Sequence, residues 1–179
     1  ILFVMQSIYL AGGCFWCTEA IFKSLKGVTK VMPGYIGGKI PEPTYNIVCS
    51  GNSGHAEAIE CYFDEKIISL NDILEVFFAT HDPTQLNRQG NDIGTQYRSA
   101  IFCSSETQRV EVESFIDSIK QYYNNKIVTE VHYNKTFYEA EEYHCDYFRK
   151  NINAPYCEII IKPKLLKLKS THGKNLLNF

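Results

Sequence analysis

Two adjacent glycines followed by a cysteine, Gly12-Gly13-Cys14, close an apolar run and open a helical pattern. No other stretch constrains the fold as tightly. Residues 2–10 read as a buried strand, whereas Ile21, Phe22 and Leu25 fall at helical spacing within 15–26, with Gly27 as the stop. The glycines turn the backbone between the two elements, so Cys14 stands at the mouth of a helix. Free backbone N–H groups and the helix dipole favour a thiolate there, which predicts a lowered pKa and a nucleophile at neutral pH. A small cysteine buried in a tight turn is the plainer alternative. Glycines that would admit a substrate, with Phe15 and Trp16 behind the thiol, favour the nucleophile.

Strand and helix patterns alternate along the rest of the chain. Strands are expected over 28–36, 56–63, 98–103, 127–132 and 158–161, and helices over 70–79, 105–122 and 138–149. The segments 33–53 and 81–96 are rich in Gly, Pro, Asn and Ser or otherwise polar and read as long loops, a frequent home of function in compact domains. Strands 98–103 and 127–132 carry mixed patterns, which argues against a doubly wound parallel sheet. The expected class is α+β: a single-domain, two-layer α/β sandwich with a mixed, partly antiparallel sheet and a ferredoxin-like core. No repeat or linker divides the 179 residues, so one domain is read over 1–161, followed by a basic tail over 162–179.

Composition excludes several classes. With 45% hydrophobic and 21% charged residues the chain is an ordinary globular one. No apolar run approaches the roughly 20 residues of a membrane span. Gln6, Ser7 and Tyr9 interrupt the N-terminal apolar stretch and no basic region precedes it, so it reads as a strand and not as a signal peptide. Because the chain starts at Ile1, an upstream targeting segment removed beforehand stays open. Through residue 161 the chain holds 13 basic and 20 acidic residues, a balance of −7, while five lysines give the tail +5. The tail is expected to be a solvated end, and an acidic body without a basic stripe disfavours nucleic acid. Seven cysteines are odd in number and too few for a disulfide scaffold, a pattern that suits a reducing, cytoplasmic compartment. Nucleotide binding lacks support, since Gly12-Gly13-Cys14 has neither the spacing of a dinucleotide fingerprint nor a P-loop lysine.

Cys14-Phe15-Trp16-Cys17 is a C-x-x-C, whose spacing at a helix start suits a disulfide. Zinc is the rival reading, but no second C-x-x-C and no His pair completes four ligands. A nucleophile also needs acids and bases. Tyr45 and then Gly54-His55-Ala56-Glu57 offer a phenol, an imidazole and a carboxyl, and the second loop runs Asn87-Arg88-Gln89-Gly90-Asn91-Asp92-Ile93-Gly94-Thr95-Gln96-Tyr97-Arg98. Spacing alone does not bring these groups beside Cys14.

Taken together, the Gly-Cys-Phe-Trp-Cys at 13–17, Gly-Tyr-Ile-Gly-Gly at 34–38, Pro-Thr-Tyr at 43–45, Gly-His-Ala-Glu at 54–57, His-Asp-Pro-Thr at 81–84 and the segment 87–99 resemble the A-type peptide-methionine sulfoxide reductases. Phe137-Tyr138-Glu139-Ala140-Glu141-Glu142-Tyr143-His144 is similar to the family's late motif, and the match runs from about residue 8 to residue 163. The resemblance implies reduction of the S epimer of methionine sulfoxide, free or in proteins. Cys14 would attack the sulfoxide sulfur and Glu57 would protonate the leaving oxygen. Tyr45 and Tyr97 would hydrogen-bond that oxygen, Asp92 would orient the network, and Phe15 and Trp16 would hold the methyl group.

Cys14 is left as a sulfenic acid, which another thiol condenses into a disulfide. Cys17 lies one helical turn away and ranks first. Cys157 matches in position but precedes an apolar run that reads as a fixed strand, and Cys145 is a third candidate. Cys49, Cys61 and Cys103 read as structural. The implied reductant is thioredoxin or a similar dithiol, no metal, flavin or nicotinamide cofactor is implied, and a monomer is expected. A general C-x-x-C thiol-disulfide oxidoreductase is the alternative; it would not need the Tyr/Glu/Asp set. A binding module without turnover is a second.

Overall fold

The computed structural model of the chain describes residues 5–176. The order is β1 (Met5–Gly12), α1 (Phe15–Lys23), β2 (Val28–Ile36), α2 (Tyr45–Cys49), β3 (Ala56–Asp64), α3 (Leu70–Thr80), β4 (Arg88–Gln89), β5 (Asp92–Ile93), β6 (Ser99–Cys103), α4 (Glu106–Ile119), β7 (Glu130–Tyr133), β8 (Phe137–Glu139), α5 (Tyr147–Lys150) and α6 (Lys162–His172). Residues 2–4 of the first expected strand and 177–179 of the expected tail lie outside the described residues.

Six strands form one sheet in the order β7-β6-β1-β3-β2-β8. β3 lies antiparallel between β1 and β2, and β6 is antiparallel to β1, which is the split βαβ pattern of a ferredoxin-like core. β7 adds parallel to β6, and β8 adds antiparallel to β2, so the sheet is mixed. This agrees with the α+β class read from the sequence.

Alternation along β1 divides two sides. Ile8 and Leu10 enter the main core with Phe22, Phe63, Ile73 and Phe77, whereas Ala11 faces a smaller cluster with Ala56, Ala58, Ala100 and Phe102. Helix α3 starts where expected. Ser69 accepts the Asp72 amide hydrogen bond at 3.1 Å while the Asp72 carboxylate accepts the Ser69 amide at 2.9 Å, and Leu70, Ile73, Leu74 and Phe77 bury one stripe. Each such apolar side chain contributes roughly 1.5–3 kcal/mol by leaving water.

Two expected elements differ. The helix over 138–149 is instead β8, a 3-10 turn at Glu142–His144 and the four-residue α5. Phe137, Tyr138 and Glu139 pair with Ile36, Tyr35 and Gly34, because β2 offers an open edge that hydrogen-bonds this backbone. The strand over 158–161 is a π-helical turn, Cys157–Ile161, that runs directly into α6. Cys157 and Ile161 are buried while Ile159 is 69% exposed, a one-sided pattern that helical spacing produces and strand alternation does not. The lysine-rich segment is therefore no loose end: α6 packs against the core through buried Leu168 and half-buried Leu165. Beyond it Leu176 forms an isolated bridge to Leu25, and Lys26 Nζ donates to the Lys174 carbonyl. Among the described residues no helix is long and apolar enough to cross a membrane.

Candidate active site

β1 ends at Gly12, and Gly13 follows at φ +100°, a left-handed conformation that glycine adopts without strain; a Cβ there would lie 2.8 Å from the Gln89 side chain. Cys14 follows as the N-cap of α1, with no side-chain capping bond of its own. The helix's first free amide goes elsewhere: Phe15 N donates to Glu57 Oε2 at 3.1 Å, across from β3. Cys14 is half-buried and Cys17 buried.

The expectation of a lowered Cys14 pKa is not met. Burial pushes this thiol up, and its hydrogen bond to Cys17 and the facing Glu57 carboxyl add to that, against a smaller lowering from Tyr156. Its partner moves the other way. The hydrogen bond from Cys14 and the nearby Lys164 ammonium outweigh burial, and Cys17 is lowered to about 7. Of the two thiols, Cys17 is the one whose surroundings favour the charged form and Cys14 the one whose surroundings favour the proton.

Glu57 is buried, and desolvation pushes its carboxyl up to about 8; the Phe15 amide opposes this, while the charges of Asp92 and Cys17 reinforce it. At neutral pH most of it holds a proton. Tyr45, at the start of α2, and Tyr97, beside β6, have hydroxyls raised first by burial and then by neighbours that include the Cys49 thiol and Glu57 for Tyr45 and Glu57 for Tyr97. Both stay protonated donors. Glu57, Tyr45 and Tyr97 therefore act on one another electrostatically, and Tyr97 also senses Cys14.

Asp92 acts on Glu57 and Tyr97 through its charge, and it also has a direct partner the sequence did not name. Its Oδ2 accepts a hydrogen bond from the Tyr156 hydroxyl at 2.8 Å, and that hydroxyl also lies 3.7 Å from Cys17 Sγ. A cleft of about 200 Å³ opens above the thiols, with Cys14, Cys17, Asp92, Tyr156, Ile160 and Lys164 among its lining residues.

Phe15 is 1% exposed, its ring 4.9 Å from His144 and stacked at 6.4 Å on Tyr45, so it is enclosed among these rings and is not an open wall. Trp16 is half-buried and held on three sides. Tyr147 stacks on it at 3.7 Å, Tyr156 meets it edge-on at 5.8 Å, and its indole N–H donates to His144 Nδ1 at 3.0 Å. Buried His144 is neutral, since desolvation lowers its pKa against the pull of Glu141. Glu141 in turn accepts the Tyr45 amide and the Tyr35 hydroxyl, both at 2.7 Å, and so fixes the start of α2.

Of the predicted site residues only Cys14, Cys17 and Asp92 line the cleft; Glu57, Tyr45, Tyr97, Phe15 and Trp16 do not. His55 receives the Gly38 amide and hydrogen-bonds the Ile40 carbonyl, which pins the loop before α2. Cys157 is buried in one apolar cluster with Cys17 and Ile161, so these thiols are neighbours. Cys61 and Cys103 sit in the sheet on either side of Ile8. Sequence reasoning missed Tyr156, His144 and Lys164. The apolar repeat around Cys157 carried the one available signal, had it been read as helical. Among the described residues no three His, Cys, Asp or Glu side chains gather as a metal ion would require.

Residues 6–176 match the family model described as Peptide methionine sulfoxide reductase. The chain is 52% identical over 163 residues to the Peptide methionine sulfoxide reductase MsrA of Saccharolobus solfataricus, covering 91% of this chain and 92% of that protein. Among solved structures it is similar to reduced Mxr1 of Saccharomyces cerevisiae, with a TM-score of 0.82 and 36% identity over 86% of this chain and 89% of that one. A further likeness is to Mxr1 in complex with Trx2, with a TM-score of 0.59 and 28% identity over 80% of this chain and 84% of that one.

Proposed function

The chain belongs to the peptide methionine sulfoxide reductase family, and on that footing we propose how its own residues divide the work. The enzyme reduces methionine sulfoxide to methionine by thiol chemistry. The observation that carries the assignment of roles is the shared site of Cys14, Cys17 and a protonated Glu57.

Cys14 attacks the sulfoxide sulfur of the S epimer and passes its proton to the Cys17 thiolate. Glu57 donates its proton to the sulfoxide oxygen, which otherwise leaves poorly. The oxygen ends on Cys14 as sulfenic acid, methionine departs, and Glu57 is left as carboxylate. Tyr45 and Tyr97 steady the oxygen with hydrogen bonds. Trp16, locked by His144 and Tyr147, offers the apolar face for the methyl group, with Phe15 beneath it.

In the second step the Cys17 sulfur attacks the Cys14 sulfenic sulfur. A Cys14–Cys17 disulfide forms and the oxygen leaves as water. Cys157 then accepts the disulfide onward, a reading supported by its packing in one cluster with Cys17. A dithiol protein then reduces it; the yeast relative solved with Trx2 points to thioredoxin as that reductant. Substrates are methionine sulfoxide in proteins and the free amino acid. All these groups lie on one chain, so catalysis needs no second copy. The free thiols suit a reducing, cytoplasmic compartment.

Methionine release from separated S and R epimers tests the reading. Turnover of the S epimer alone, lost in Cys14→Ser, is expected. Disulfide reduction without any sulfoxide turnover would favour a general thiol-disulfide oxidoreductase instead.

A further inference from the structure

The segment from Tyr156 to Lys164 lies along the thiol cleft, and Tyr156, Ile160 and Lys164 all line it. Every fourth residue of an α-helix drifts by about 40°. The wider π-turn at Cys157–Ile161 offsets that drift, so three side chains four apart reach the same opening. Lys164 also borders a small space behind Cys17, together with Gly12, Phe77 and His81. Lys164 and Cys17 thus share the lining of two neighbouring spaces.

Two neutral groups favour a Cys17 anion by hydrogen bonding, first the Cys14 thiol and then the Tyr156 hydroxyl. The ionisable groups beside it other than Lys164 do not: Glu57 and Asp92 bring carboxyls from β3 and β5, and Cys157 brings a thiol. His81 stays neutral, because burial lowers it to about 4 while its nitrogens bond the Phe77 carbonyl and Ser99 Oγ. Lys164 is half-buried, and no carboxylate pairs with it among the described residues.

We propose that Lys164 is a positioning residue for disulfide formation: its ammonium, delivered over the cleft by α6, neutralises the negative charge on the Cys17 sulfur as that sulfur attacks the Cys14 sulfenic acid. The inference rests on Cys17 as the resolving thiol. The step is the one written above: the S–S bond forms and the S–O bond breaks, the Cys17 sulfur is oxidised and the Cys14 sulfenic sulfur reduced, each to the level of disulfide, and the oxygen leaves as water with the proton that Cys17 gives up. Lys164 gives up no atom and no electron. A cation beside the attacking sulfur raises its thiolate fraction at neutral pH, an advantage that vanishes once the solution itself ionises the thiol.

The test uses the full chain, reduced, with Lys164→Met and Lys164→Arg. Alkylation of each cysteine by uncharged iodoacetamide is followed against pH by peptide mapping. Thiol loss is then timed in a single turnover with methionine sulfoxide and no reductant. In Lys164→Met the midpoint for Cys17 should rise, and bridging at pH 7 should slow by about three- to tenfold, with the gap closing near about pH 9.5. Lys164→Arg should restore both. An unmoved Cys17 midpoint, a slowing that is the same at every pH, or no rescue by arginine overturns the role of Lys164. Full-speed bridging in Cys17→Ser overturns the underlying reading instead, so the two failures are told apart.

Discussion

The Glu57 carboxyl accepts the backbone N–H of Phe15 at 3.1 Å, which places the acid directly at the free end of α1, one residue beyond Cys14. The helix terminus serves the acid and not the thiol. Burial nevertheless dominates at Glu57 and keeps its proton on at neutral pH.

Glu57→Gln should slow sulfenic acid formation at pH 7 by on the order of a hundredfold, since an amide has no proton to give. In the wild type this step should fall as pH rises through about 8, and Glu57→Gln should lack that limb. Stability follows the same sign. A carboxyl whose folded pKa is raised from 4.5 to about 8 favours the fold fully below 4.5 and loses that favour as pH climbs through 8, so Glu57→Gln should gain on the wild type across that range. Rapid-quench rates and thermal midpoints against pH read both; parallel profiles would remove the acid role.

Cys14→Ser should abolish methionine release, with a loss of at least about a thousandfold, because the hydroxyl is a far weaker nucleophile. Substantial release by this variant would exclude Cys14 as the attacking group.

For recycling, a single turnover of Cys157→Ser without reductant should still yield a Cys14–Cys17 bridge by peptide mapping. Cys17→Ser should close slowly, since Cys157 is fully buried and must leave its cluster to reach Cys14. The reverse pattern, with fast closure to Cys157 and none in Cys157→Ser, would invert the ranking.

Trp16 is the chain's single tryptophan, so its emission reports directly on the face proposed to hold the methyl group. Sulfoxide binding should shift that emission. His144→Phe, which leaves the indole N–H without its partner, should raise KM severalfold with a smaller effect on kcat. Unchanged emission on saturation would place the substrate elsewhere.

Glu19 is 1% exposed; its carboxylate accepts the Asp146 amide at 2.8 and 3.0 Å and pairs with Lys23 at 2.8 Å, tying α1 to the turn that carries Tyr147. Glu19→Ala should cost about 2–4 kcal/mol in denaturant unfolding. A loss below about 0.5 kcal/mol would show that the tie is not needed.

The sheet was legible even where both faces are buried. The expected 28–36 matches β2 residue for residue, and 56–63 falls one short of β3; residues 33–36 and 56–59 are buried throughout, and burial alternates only toward the end of β3. Cys14 was legible from Gly13, but its pKa was not, since desolvation by distant chain segments outweighs the helix terminus. The run Glu158-Ile159-Ile160-Ile161 misled because β-branched residues suit strands, and only packing of Cys157 and Ile161 on α1 decides for a helix. The segment 138–149 failed for a similar reason, as the open edge of β2 and the bonds to Glu141 override its local pattern.

The bridge between Leu25 and Leu176 joins the turn just after α1 to a residue about 150 positions further along the chain. Ordering such a contact closes a long loop, which makes it late and slow in folding. During synthesis, residues 156–176 emerge after everything they pack against. Until they dock, the cleft lacks Tyr156 and Lys164, and both thiols of the C-x-x-C face solvent on that side. The nascent chain therefore passes through a stage in which its reactive pair is open to alkylation, and a ribosome stalled before residue 156 would hold it there.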